Sequence, residues 1–307
     1  MLEKRNCVQP PAIRKLGTLK CDLVETTPIV FGGELYRFEY VRGRGRSQSR
    51  PDGTPYFHFV HVRTDRPSAP FAQEHHLGSA YTENGVMYVC GLKDEWGSDT
   101  LHFFRSHDLE AWEQYAQLNL PGFQIYNTNI CKMGDEYTLL LEVVDPTLPG
   151  SVPFPFRFAR SHDLTHWSLL PPEYVFQPHR YSGGPAIYTL PGDPHFYVLY
   201  LEAYPNERYA NSIARSADLK TWEYSPVNPV LMYEPDRDKQ IASPFLTPEE
   251  RLRIREALDV NNSDLEMCQY LGRTILYYSW GNQHGNEFLA EASYEGPMSE
   301  LLHSYFP

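Results

Sequence analysis

A seven-residue pattern returns three times at a fixed interval, and that interval constrains the fold more than any other feature of the chain. Ser106-His-Asp-Leu-Glu-Ala-Trp112 recurs as Ser161-His-Asp-Leu-Thr-His-Trp167 and again as Ser216-Ala-Asp-Leu-Lys-Thr-Trp222, with starts 55 residues apart both times. A period of this length marks one supersecondary unit repeated in stacked or radial array. Each copy follows a strand-like run (100–105, 155–160, 211–215) and precedes a short run suited to an outer strand. In such a turn Ser and Asp bond backbone amides while the Trp closes over the unit. A worn fourth copy stands at Arg63-Thr-Asp65.

Reading outwards from these turns gives four strands per unit: an inner A, then B, C and an outer D. A, B and C fall near 25–31, 35–41 and 55–63 in unit one, and near 78–82, 86–92 and 101–105 in unit two. They fall near 126–132, 137–144 and 155–160 in unit three, and near 183–190, 195–202 and 209–215 in unit four. Unit five offers 263–270, 274–280 and 287–294. Gly32-Gly33, Asn84-Gly85, Gly134-Asp135, Gly192-Asp193 and Leu271-Gly272 separate A from B each time. The expected class is all-β, a five-bladed β-propeller in which one domain spans 1–307. Its blades cover about 22–74, 75–122, 123–178, 179–232 and 259–307. Blade five lacks a D strand of its own, and residues 13–20 are placed to supply it. The stretch 247–258 reads instead as a helical insertion before blade five, because Thr247 and Glu250 form a capping box. A two-sheet sandwich is the alternative, which the 55-residue period disfavours.

Composition narrows the function classes. Of 307 residues 14% are aromatic, with 26 Pro and 20 Gly, which favours strands and turns over helices. A net charge of −12 excludes a general nucleic-acid binder and disfavours an anionic membrane surface. No secretory h-region or 18-residue apolar run is visible, so a cytoplasmic location is expected. Cys7, Cys21, Cys90, Cys131 and Cys268 are scattered and odd in number, against a disulfide framework or structural zinc.

In a propeller the A starts and B ends share one face, opposite the repeated turns. The A starts carry Glu25, His75-His76, Asn127 and Asn129, Arg180-Tyr181, and Asp264 with Glu266; the B ends carry Asp94, Glu142, Asp145, Glu202 and Trp280. Glu142 in LLLEVVD and Glu202 in VLYLEAY interrupt apolar runs, where a carboxylate costs several kcal/mol unless bonded or protonated. The bland reading of each is a partner in a buried network around the axis. Several converging on one mouth suit acid–base chemistry.

The turns RSHDL..W and RSADL..W, the strand SGGPAIY (182–188) with YVLYLEAY, and the closing NNSDLEMCQYLGRTILYYSWGNQ (261–283) resemble the five-bladed propeller glycoside hydrolases, the group of families 43, 32 and 117. The resemblance covers nearly the whole chain as a pattern of blades and implies hydrolysis of a glycosidic bond by inner-strand acids. Family 43 enzymes place a base Asp in blade one, a tuning Asp in blade two and an acid Glu in blade three. Here those places hold Glu25, His75-His76, and Asn127 with Asn129; the family 32 nucleophile motif is absent. Family 117 enzymes use a His as acid, which draws attention to His75 and His76.

The catalytic candidates are therefore Glu25 at the base position, Asp264, and Glu202 or Glu142 as acid. The substrate-binding candidates are His75, His76, Asn129, Arg180, Glu266 and Gln283, with Trp96, Tyr181 and Trp280 as stacking surfaces. Arg44 and Arg46 join them from the basic run 42–50, suited to an anionic sugar group. No organic cofactor is implied and no metal ligands are assigned, although a central Ca²⁺ or Na⁺ occurs in some relatives. The expected function is an exo-acting glycoside hydrolase with an oligosaccharide or glycoside as partner. A glycoside phosphorylase and an inactive carbohydrate-binding propeller are the alternatives.

Overall fold

The structure, a computed structural model, describes residues 10–43, 52–282 and 285–307. Its repeated turns show why the pattern recurs. Ser106 Oγ accepts from the N–H of Leu109 at 2.9 Å, and Asp108 Oδ1 accepts from Glu110 N–H at 2.9 Å and Ala111 N–H at 2.8 Å. Asp163 and Asp218 bind the equivalent amides of Thr165 and His166, and of Lys220 and Thr221. These bonds hold Leu109, Leu164 and Leu219 in the left-handed region (φ 65°, 61° and 61°) with their side chains buried. For an L-residue that conformation costs about 1–2 kcal/mol, which the amide bonds and Leu burial offset.

The tryptophans depart from expectation. Rather than closing over its own unit, each crosses to the blade before it. Trp112 stacks on Phe71 at 3.7 Å between centroids, Trp167 on Phe103 at 5.6 Å and Trp222 on Phe158 at 5.9 Å. One motif therefore both turns a chain and joins neighbouring blades.

Blade one is Thr27–Phe31, Glu34–Val41, Tyr56–His61 and the brief Arg66–Pro67. Blade two is His76–Glu83, Val86–Leu92, Thr100–Ser106 and Glu113–Asn119. Blade three is Gln124–Met133, Glu136–Val144 and Phe156–Ser161, edged by Ser168–Leu169 and Val175–Phe176. Blade four is Ala186–Thr189, Phe196–Tyr204, Arg208–Ser216 and Glu223–Tyr224. Blade five is Asn261–Tyr270, Arg273–Gly281 and Glu287–Tyr294, and its outer strand is Arg14–Cys21, antiparallel to Glu287–Tyr294.

Inner strands pack in the order one, two, three, four, five and back to one, around a common axis. The fold is a five-bladed β-propeller. The insertion forms the helix Pro248–Glu256, whose Thr247 Oγ1 accepts from Glu250 N–H while Glu250 Oε2 accepts from Thr247 N–H at 2.8 Å. Two helices were not anticipated, Pro235–Asp238 and the C-terminal Met298–Ser304. Both are short and lack a side-chain cap, so they leave little sequence signal.

Candidate active site

At the axial end opposite the repeated turns, a pocket of about 340 Å³ opens between the blades. Local backbone geometry sets its mouth. Glu25, Leu77, Gly184 and Asp264 sit at the inner-strand entrances of blades one, two, four and five, with φ of 53°, 50°, 52° and 50°. Register breaks mark the same level in three blades, between His76 and Ser79, Ile125 and Thr128, and Ser263 and Glu266. Such bulges re-aim side chains, and left-handed non-glycine residues are strained positions that gather at functional sites.

Five carboxylates line this pocket, Glu25, Glu95, Glu142, Asp264 and Glu287, and of these Glu25, Glu142 and Asp264 come from three separate blades. Glu142 Oε2 accepts from Asn127 Nδ2 and from Gly184 N–H, both at 3.1 Å. With that oxygen bonded twice, Oε1 is the one left to carry a proton. Burial, reinforced by the charges of Glu25 and Asp264, pushes the Glu142 pKa up to about 8 despite its two donors. Burial also raises Asp264, whose Oδ2 accepts from Ser263 Oγ at 2.8 Å. Gly184 separates the two acids, since a Cβ there would stand 2.5 Å from Asp264 Oδ1. The Arg42 guanidinium lies 3.7 Å from Glu25 and 3.4 Å from Glu287.

Below the mouth a chamber of about 20 Å³, too small for a sugar ring, is lined by Glu25, Asn127, Gly184, Asp264 and Glu266. Glu266 is bonded by Thr27 Oγ1 at 3.0 Å and Asn129 Nδ2 at 3.1 Å, while Asn129 Oδ1 accepts from Ile187 N–H. Burial pushes Glu266 up to about 8 as well. Asn129 and Glu266 thus form a floor rather than the pocket wall assumed from sequence.

Of the aromatic candidates, Trp96 is 78% exposed and lines the pocket with Tyr181; Tyr126 and Phe154 complete that wall. Trp280 does not belong there. It is 1% exposed, stacks on Phe288 at 4.3 Å and donates Nε1–H to Thr18 Oγ1, so it is core of blade five. Glu202 is likewise displaced, ion-paired to Arg180 and accepting from Ser212 Oγ, while its neighbour Leu201 faces the pocket. Arg180 is accordingly held by Glu202 and does not line the pocket.

The histidine pair lies between blades one and two. His75 is buried, with Nε2 3.0 Å from His102 Nδ1 and Nδ1 against the Gln73 carbonyl, and His76 is bonded to the Tyr40 hydroxyl. Burial lowers both pKa values, favouring neutral rings that pack and orient. Neither lines the pocket. Arg44, Arg46 and Gln283 lie outside the described residues. Unforeseen were Glu95 and Glu287; Asn127 at an inner-strand start, Gly184 in the SGG strand and Arg42 at the head of the basic run fall on the expected face, although none of the three is among the site candidates.

A cleft of about 490 Å³ between blade one and the helix Pro248–Glu256 is larger. Its buried acid is satisfied: Glu39 pairs with Arg37 at 2.8 Å and His58 at 3.0 Å, and the Arg37 guanidinium helps pull it down to about 2 against the cost of burial. Such an acid is fixed as a carboxylate, unsuited to proton donation. Among the described residues no group of three or more His, Cys, Asp or Glu side chains could hold a metal ion, and no helix is long and apolar enough to cross a membrane.

No family model matches the sequence, and no curated protein matches it. Solved structures do, several of them glycoside hydrolases, and what they share with this chain is its fold. An α-L-arabinofuranosidase from Podospora anserina, in complex with cellotriose, superposes with TM-score 0.61 at 8% identity over 94% of this chain and 99% of its own. The catalytic domain of a GH62 α-L-arabinofuranosidase from Coprinopsis cinerea gives 0.61 at 7% identity over 93% and 98%. A xylan β-1,4-xylosidase from Bacillus halodurans gives 0.56 at 14% identity over 93% of this chain but 53% of its own. At these identities the likeness carries the fold alone.

Proposed function

We propose that the protein is a glycoside hydrolase in which Glu142 donates the proton to the leaving oxygen and Glu25 activates water. The carrying observation is the meeting of Glu25, Glu142 and Asp264 in one pocket where burial and like charge favour a protonated Glu142. In this reading the glycosidic C–O bond breaks as its oxygen takes the Glu142 proton, and water adds to the anomeric carbon as Glu25 takes a proton from it. Asp264 acts through its charge, strengthening the hold of Glu142 on its proton. Asn127 and Gly184 position the acid.

The pocket narrows below to the small chamber, so one end of a chain would enter; this supports exo action. Trp96, Tyr126 and Tyr181 offer faces for a sugar ring. Among the described residues Arg42 is the lone cation of the wall and faces two carboxylates, which gives phosphate little purchase and weighs against the phosphorylase.

A screen of aryl glycosides and oligosaccharides, with NMR of the first-formed anomer, tests this reading. Turnover that disappears in Glu142→Gln is expected. Phosphate-dependent turnover, or tight sugar binding with none, would replace it by the phosphorylase or by an inactive binding propeller.

A further inference from the structure

The seam that closes the ring contains a lysine buried against a carboxamide. Lys15 lies on the outermost strand of blade five and Asn262 on the innermost, and they are 8% and 0% exposed. Lys15 Nζ lies 2.8 Å from Asn262 Oδ1, 2.6 Å from the Met232 carbonyl, and 2.7 and 2.9 Å from the two oxygens of Asp238. Asp238, fully buried, touches both groups, because Asn262 Nδ2 donates to its Oδ2 at 3.3 Å. Tyr278 donates to Asp238 Oδ1 at 2.6 Å, and the Lys15 ammonium sits 5.2 Å from the Tyr278 ring centroid. Asp259 is 5% exposed, and neither of its oxygens meets a hydrogen-bond donor among the described residues.

This arrangement exceeds what an ion pair requires. A nitrogen nucleophile, a primary carboxamide and a carboxylate in contact with both are the components of amide exchange, enclosed where water cannot compete. Burial draws the Lys15 pKa down, towards the neutral amine. Burial and the Asp238 charge push Asp259 up to about 8, so Asp259 has capacity for a proton beside the amine.

We propose that Lys15 and Asn262 join in an intramolecular isopeptide bond, with Asp238 as the proton carrier. Nζ of the neutral lysine attacks Asn262 Cγ, forming the new C–N bond. Asp238 takes a proton from Nζ and passes one to Nδ2; the Cγ–Nδ2 bond breaks and ammonia leaves. No oxidant or co-reactant is needed. The product ties the N-terminal strand covalently to the inner strand of blade five, across the seam otherwise held by strand pairing.

Tryptic digestion of the denatured full-length chain, followed by mass spectrometry, tests this. The expected product is a branched peptide joining residues 15–20 to 256–273, lighter than its two components by one ammonia (about 17 Da). Asn262→Ala should yield only the linear peptides. Two linear peptides of full mass from the native sequence would overturn the proposal. A branched peptide lighter by one water (about 18 Da) would also overturn it, because the bond would then lie on an aspartate.

Discussion

The two ends of the propeller hold the same kind of side chain in opposite states. At the repeated turns Asp108, Asp163 and Asp218 are exposed, and each receives two backbone N–H bonds that pull its pKa below the usual carboxylate range. At the mouth Glu142 is buried and Asp264 half-buried beside other acids, and their pKa values are raised. Residue type therefore says little about role. The balance between amide donors and desolvation separates an acid that shapes a turn from one able to give up a proton at neutral pH.

The largest effect should come from breaking the mouth. Glu142→Gln keeps the bonding shape and removes the proton, so kcat should fall about 10²–10⁴-fold. Melting temperature should hold or rise. Steady-state kinetics beside a thermal melt would check both.

The pH dependence of stability should carry opposite signs at the two ends. The folded chain keeps a proton on Glu266 up to about 8, whereas the unfolded chain releases it near 4.5. Stability should therefore fall as pH rises between those values, by an amount on the order of 5 kcal/mol for one buried acid. Asp218, drawn down to about 2 from 3.8, works the other way, losing its small contribution only as pH falls through that interval. Urea unfolding from pH 4 to 9 should show the decline, and Glu266→Gln should make it shallower, leaving the share of Glu142 and Asp259.

Gly184→Ala adds a Cβ 2.5 Å from Asp264 Oδ1 at a φ of 52°. Displacing the acids should lower kcat/KM about 10²-fold. An unchanged rate would show that the spacing of Glu142 and Asp264 is not critical. Smallest of all, Asp218→Ala should cost about 1–3 °C of melting temperature through lost turn bonds and leave activity intact. A large loss of activity there would dissolve the distinction between the ends.

Much of the fold was legible because its marker is local. Ser, Asp and Leu act within a single turn and Trp reaches only the adjacent blade, so their spacing survives in the sequence and fixes the length of one blade. The acids at the mouth were only partly legible because facing depends on register. Tyr137 pairs with Ser161 and Phe196 with Ser216, which makes Leu201, not Glu202, the counterpart of Glu142. The path from Gly192 to Phe196 is one residue longer than that from Gly134 to Tyr137, and one residue turns a side chain to the opposite face. Trp280 failed differently: a strand end is not a pocket wall when a neighbour such as Phe288 covers the ring. Asn127 and Gly184 act through single bonds to Glu142, a role that no pattern of residue types announces.

Everything proposed for the mouth depends on Glu142 holding a proton at neutral pH. Carboxyl ¹³C NMR on glutamate-labelled protein, compared with Glu142→Gln, addresses it directly. The resonance lost in the variant should titrate with a midpoint of about 8. A midpoint near the ordinary 4.5 would contradict it and remove Glu142 as the acid.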